Sequence, residues 1–290
     1  VVFFSVCVGL LVCIAVWAIG YLLNTVSFMQ IIRCYHPKPM TSGEAIRMGG
    51  VLTIAGYALN YVTPFGLLGG EPWRIYNLRK VMDNRSANSA VAYYSMMHVL
   101  SHIIFWIIGA CYAMLALKPL MSQYWGAVCI TIVIIVALLI GLIYLCNRRG
   151  WIDDLRTLLL EHPREFWSAL LLELLSRMVN VIEYWLLLSV ALPESGLGTY
   201  GTAYLVVAFS SLFANILFFS PLQMGTREGG ILLILLALVP NGTEAALLPV
   251  AVSISFATRI REFFWIGVGL LLMRYCAIDG QPNNVSLRQE

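Results

Sequence analysis

Apolar residues run almost unbroken along most of this chain, and the polar positions mark where each run stops. Continuous apolar stretches fall at roughly 1–32, 88–117, 124–147, 165–192 and 245–273. Each has the length, about 20 residues, that a helix needs to cross the hydrocarbon of a bilayer. The first run, "VVFFSVCVGLL" and onward, is too long for a signal-peptide core and reads as a spanning helix. It opens without Met, so a native start upstream is expected. Two further regions, about 48–83 and 200–239, are apolar but interrupted. The first contains "PFGLLGGEPWRIYNL" from Pro64, with Gly69 and Gly70; the second contains "PLQMGTREGGILLIL" from Pro221, with Gly225. In both, a Glu stands seven residues after the Pro, Glu71 and Glu228, with Arg74 or Arg227 close by.

Composition makes the class firm. Of 290 residues, 60% are hydrophobic and 11% charged, and the mean hydropathy is +0.83. Soluble domains carry about 25% charged residues, so this is an all-α integral membrane protein. The seven cysteines are scattered through apolar segments without a CxxC pair and read as small core residues, neither disulfides nor a metal site.

The basic residues supply orientation. Segments 33–47, 74–85 and 148–164 and the C-terminus hold most of the Lys and Arg, whereas 118–124 holds one Lys and 193–202 and 240–248 hold none. The positive-inside rule places the first four on the cytoplasmic side of the cell (inner) membrane and the last three outside. Region 48–83 then enters and leaves from inside, and 203–239 from outside. That predicts about five full spans plus two re-entrant hairpins, with Pro64, Gly69, Gly70, Pro221 and Gly225 at the turns. The alternative is two Pro-kinked spans. Residues 1–117 and 165–275 then form two helix–hairpin–helix repeats of opposite orientation. They are joined by a linking helix and cytoplasmic loop over 118–164, and 276–290 is a polar tail. Inverted repeats with broken helices near the midplane are a transporter design.

Charge inside the spans is the second signal. Glu173, Arg177, Asn180 and Tyr184 fall on one face of their helix, with Glu173 and Arg177 spaced as an i,i+4 pair. Glu183 lies off that stripe. On the last span Ser255, Arg259 and Glu262 share a face and Arg261 points elsewhere. Each charge at bilayer centre costs on the order of 3 kcal/mol, so several together predict a polar cavity, joined by Glu71, Arg74, Arg227 and Glu228 from the hairpins. The competing reading is that the pairs only clamp helices together. Glu71 is placed to cap a helix whose first turn holds Pro72, leaving N–H groups beside Arg74 as an anion site. "GTREGG" offers a second set with Arg227. His98 and His102, four apart, read as core or interfacial residues, since no third metal ligand follows. No triad and no nucleotide motif is present, and no cofactor is expected.

"GGEPWRIYNL" after a Pro/Gly turn, with "P-x3-G-x-RE-GG" in a later hairpin, resembles the transmembrane domain of lysylphosphatidylglycerol synthases and the stand-alone flippase-like proteins related to it. The likeness spans roughly 1–275. It implies two hairpins facing each other across a central cavity and movement of lipids between leaflets. Matched positions are Gly69, Gly70, Glu71 and Arg74, then Pro221, Gly225, Arg227 and Glu228. The soluble aminoacyl-transferase domain of bifunctional members has no counterpart here, so lysine transfer is not expected from this chain.

The reading is a translocator for a membrane lipid with a charged or glycosylated head group. Arg74, Arg177, Arg227 and Arg259 would hold a phosphate, balanced by Glu71, Glu173, Glu228 and Glu262. The alternative is an integral membrane transferase acting on a lipid-linked substrate, with Glu and Arg as acid, base and clamp. A homodimer or a separately encoded lipid-modifying enzyme is the expected protein partner, and nucleic acid is not.

Overall fold

The computed structural model describes residues 2–35, 41–63, 69–116, parts of 126–148, 159–192, 199–216, 225–238 and 243–275. Pro64 and Pro221, half of the linking helix expected at 124–147, and the polar tail expected at 276–290 lie outside the described residues. All regular structure described is helical. The principal helices are α1 (Val2–Tyr35), α2 (Ser42–Val62), α3 (Gly70–Leu78), α4 (Asn84–Ala116), α5 (Pro163–Ala191), α6 (Tyr200–Ile216), α7 (Thr226–Leu238) and α8 (Glu244–Tyr275). Among the described residues, stretches of α1, α4 and α5 are long and apolar enough to cross a membrane by length and composition. α8 has the length, 32 residues, but carries Arg259, Arg261 and Glu262 in its body.

Local chemistry sets the ends. α2 begins with a capping box: the Thr41 hydroxyl accepts the Glu44 N–H, and the Glu44 carboxylate accepts the Thr41 N–H at 3.1 Å. It stops at Thr63, which is extended (φ −80°, ψ 135°), the conformation forced on a residue that precedes proline. Asp83 heads α4 and accepts the Ser86 N–H at 3.0 Å, which holds its carboxyl below the usual carboxylate range. Pro163 opens α5, where its missing N–H costs nothing.

The packing pairs come in couples. α1 lies along α5, where Ser176 donates to the Gly20 carbonyl at 3.3 Å. The remaining principal contacts exchange with one another when α1 is swapped for α5, α2 for α6, α3 for α7 and α4 for α8. Thus α1–α2 matches α5–α6, α2–α3 matches α6–α7, and α3–α4 matches α7–α8; α2–α8 matches α4–α6, α4–α5 matches α1–α8, and α1–α4 matches α5–α8.

Two apolar cores result. One gathers Phe28, Ile32, Leu52, Leu78, Tyr94, Met97 and Leu170. The other gathers Phe105, Val181, Leu188, Leu205, Val206, Ile231, Leu235 and Ile254. Along α4 the first core ends at Met97 and the second begins at Ile103; along α5 the break runs from Leu170 to Val181. His98, Ser101 and His102 of α4 and Glu173, Ser176, Arg177 and Asn180 of α5 fall in those breaks, near each helix's midpoint. Large apolar side chains such as Leu22, Ile108, Leu171, Val190, Phe256 and Phe263 remain on the outside, as a lipid-facing surface requires.

Candidate functional site

Both glycine motifs start a helix, but their glycines are needed for different reasons. Gly69 and Gly70 open α3 tightly against α2. A Cβ on Gly70 would run into the Gly56 carbonyl oxygen and the Asn60 side chain, and the Gly70 N–H donates to Asn60 Oδ1 at 2.7 Å. Gly225 precedes α7 with φ +82° and open space around it, so there the backbone conformation selects glycine. Its N–H donates to Glu228 Oε2 at 2.8 Å, one half of a capping box. Gly70→Ala is therefore expected to cost about 1–3 kcal/mol by overpacking. Gly225→Ala costs about 1 kcal/mol through strain alone. Thermal unfolding in detergent checks the order, with the Gly70 variant melting lower.

The first charged cluster centres on Arg74, which is buried and fully engaged. Its Nη1 bonds Glu71 Oε1 at 2.6 Å, Nε donates to the Leu52 carbonyl at 3.0 Å, and Nη2 donates to the Thr53 carbonyl at 3.3 Å. Its guanidinium lies 5.1 to 5.8 Å from the ring centres of Tyr57, Tyr94 and Phe28. Gly56 makes room for it, since a Cβ there would meet the guanidinium. Arg74, the cation expected beside the N–H groups at the start of α3, is thus held by acceptors of the protein itself. Glu71 sits at the second helical position, paired with Arg74, and does not cap the helix.

From Arg74 the polar contacts pass along Tyr57, whose hydroxyl lies 3.2 Å from Tyr94 Oη and 3.1 Å from His98 Nδ1. His98 Nδ1 meets Glu173 Oε2 at 2.9 Å. Arg177 reaches across to α4. Its Nε and Nη2 donate to Ser101 Oγ at 2.9 and 2.7 Å, Nη2 also donates to the His98 carbonyl at 2.8 Å, and Nη1 meets His102 Nε2 at 2.7 Å. Since His102 Nδ1 donates to the His98 carbonyl at 3.1 Å, its Nε2 is left as the acceptor of a neutral ring. The predicted Glu173–Arg177 pair is therefore replaced by two contacts between helices. A pair on one helix is worth only about 0.2–0.5 kcal/mol, and α4 offers Arg177 three fixed acceptors.

The second cluster joins α5, α7 and α8. Arg227 Nη1 bonds Glu262 Oε1 at 2.7 Å and donates to Thr258 Oγ1 at 3.3 Å. Glu228 Oε1 accepts from Arg259 Nη2 at 2.8 Å and from Ser255 Oγ at 2.6 Å. Arg261 bonds Glu183 and, at 3.1 Å, Glu262, with its guanidinium 3.7 Å from the centre of the Trp17 ring. The pair expected within α8, Arg259 with Glu262, is again exchanged for partners on other helices. Arg261 faces inward, against expectation, because Glu183 on α5 draws it there.

Between the clusters lies a cavity of about 570 Å³. Arg177, Arg227 and Glu262 line it, among the predicted residues; Glu71, Arg74, Glu173, Glu228 and Arg259 stand outside its lining. Its wall also contains Arg261, His98, His102, Asn24, Asn60, Asn180 and several aromatic rings, which the sequence reading either set aside as core residues or did not rank. Asn180 and Tyr184 share the Arg177 stripe and both reach the cavity. Asn24 and Asn60, single polar positions in otherwise apolar helices, were the remaining sequence signal.

A family model described as lysylphosphatidylglycerol synthase TM region matches residues 4–268. The chain belongs to that family. No curated protein and no solved structure matches it. Membership gives this chain a lipid-related role in the membrane.

Proposed function

We propose that this protein moves a lipid with a charged or glycosylated head group between leaflets. The head occupies the cavity while the tails stay in the bilayer. One observation carries the reading: a cavity of about 570 Å³, lined by Arg177, Arg227 and Arg261, lies midway between two apolar cores. A purely structural clamp does not require such a space. The exchangeable packing couples support two repeats, 1–117 and 165–275, that rock against one another. In this reading the repeats are inverted, α2–α3 and α6–α7 are the two re-entrant hairpins, and the basic loops 33–47, 74–85 and 148–164 face the cytoplasm. The transferase reading finds less support, since Glu173 and Glu183 sit behind the wall and Glu262, the carboxylate on it, is tied to Arg227 and Arg261.

The test is leaflet exchange in liposomes. Purified protein is reconstituted with head-group-labelled phospholipids of several charges, and inner-leaflet label is followed by its loss to a membrane-impermeant quencher. Protein-dependent crossing of at least one head-group class is expected. Crossing no faster than in protein-free liposomes for every class overturns the proposal.

A further inference from the structure

The carboxylates of the two charged clusters differ in what holds them. Glu71, Glu183, Glu228 and Glu262 each bond a guanidinium, and a guanidinium keeps its protons in a protein. Glu173 bonds a histidine instead. Its Oε2 lies 2.9 Å from His98 Nδ1, and its Oε1 has no partner among the described residues. Imidazole takes up and gives back protons near neutral pH. Glu173 is therefore the carboxylate of the clusters whose bonded neighbour can exchange a proton with it.

The ring also connects it to the cavity. Glu173 is buried behind the wall, whereas His98 lines the cavity with its side chain 21% exposed. His98 Nδ1 is shared between Glu173 and the Tyr57 hydroxyl, and Nε2 bonds no described residue. His102, one turn on, is closed to this role, because its Nδ1 donates to the His98 carbonyl and its Nε2 accepts from Arg177. A proton arriving from the cavity at His98 Nε2 releases the one on Nδ1 to Glu173 Oε2. The ring ends neutral with its hydrogen on Nε2, and the new carboxyl hydrogen donates to Nδ1. The pair has gained one proton and lost one negative charge; the reverse steps return the proton to the cavity. Intramembrane carboxylate and histidine pairs of this kind serve as proton relays in transporters.

Facing the pair are Tyr57 of α2, Arg74 of α3, Tyr94 and His102 of α4, and Arg177 of α5. Both arginines bond other acceptors and bring their charge without contacting Glu173. α1 brings Ser27, which does not titrate, and α6 and α8 meet these helices further along, at Trp106 and Glu183. A phosphate beside Arg177 is repelled by a charged Glu173 and not by a neutral one. Bound phosphate then favours the proton as much as the proton favours the phosphate.

We propose that His98 and Glu173 form a proton-binding site loaded from the cavity, and that a lipid head group crosses together with one proton held there. The coupling rests on the translocation reading; the proton site does not.

The experiment has two arms. Infrared difference spectra of the purified protein in detergent, taken between about pH 8 and about pH 5, are expected to show the carbonyl band of a protonated carboxyl group. The band is lost in Glu173→Gln, which keeps the shape of the side chain, and is displaced in His98→Asn. A spectrum that neither substitution alters overturns the site. The second arm needs no variant. Wild-type protein is reconstituted with a head-group-labelled phospholipid in liposomes whose lumen is held about one pH unit above the outside. Label is expected to gather in the inner leaflet by up to about tenfold over its distribution at equal pH, the limit for one proton per lipid, with protein-free liposomes under the same gradient as control. A distribution indifferent to the gradient, with crossing intact, leaves translocation standing and overturns the coupling. A Glu173-dependent band without crossing of any lipid leaves the proton site standing and overturns translocation.

Discussion

Arg261→Ala lowers the melting temperature of the detergent-solubilised protein by on the order of 10 °C, the largest stability change expected of a single substitution. Arg261 and Glu183 are 2% and 0% exposed, and the guanidinium also bonds Glu262 and rests on Trp17. Removing it strands the buried Glu183 carboxylate without its cation, which costs about 3–5 kcal/mol. The same physics predicts that Glu183→Leu combined with Arg261→Met recovers much of the loss, because a buried ion pair is replaced by apolar groups of similar size. Differential scanning fluorimetry reads both. A single variant that melts with the wild type would show that water reaches the pair.

Arg177→Gln acts on transport and spares the fold. Its loss leaves no carboxylate stranded in direct contact, and glutamine still donates to Ser101 or the His98 carbonyl, so the melting temperature moves by a few degrees at most. A charge-assisted bond to phosphate is worth about 1.5–3 kcal/mol, equivalent to about 10- to 100-fold in affinity. Leaflet crossing at low lipid fraction is expected to slow by about that factor. Crossing at the wild-type rate would remove Arg177 from the path. Measured side by side, the two variants separate the roles of the clusters: Arg261 acts chiefly through stability, Arg177 through the lipid.

Much of the architecture was legible because it rests on local rules. Apolar runs located α1, α4, α5 and α8 to within a few residues, and Pro with Gly located the breaks before α3 and α7. What the sequence could not show was partnership across helices. Spacing along one helix offers Glu173 to Arg177 and Arg259 to Glu262, but long side chains in a packed bundle take partners from whichever helix presents a fixed acceptor. Thus Glu173 goes to His98, Arg259 to Glu228 and Glu262 to Arg227. Arg261 was misjudged for the same reason, since its helical angle points away from Ser255 and only the position of α5 brings Glu183 to meet it. The motif residues Glu71 and Arg74 were conspicuous in the sequence, and the structure puts them behind the cavity, where they tie α3 to α2. Asn24 and Asn60 show the opposite case, inconspicuous residues that the fold carries to the wall.

If a lipid head group passes through this cavity, obstructing the cavity stops the passage. Ala214 lies on α6, buried and part of the cavity lining, so Ala214→Trp places an indole where the head group would sit. Leaflet crossing is measured for wild type and Ala214→Trp reconstituted at equal density, with matching melting temperatures as the control for folding. In the plugged variant, crossing is expected to fall to the rate of protein-free liposomes. Crossing at the wild-type rate by a folded Ala214→Trp protein would contradict it.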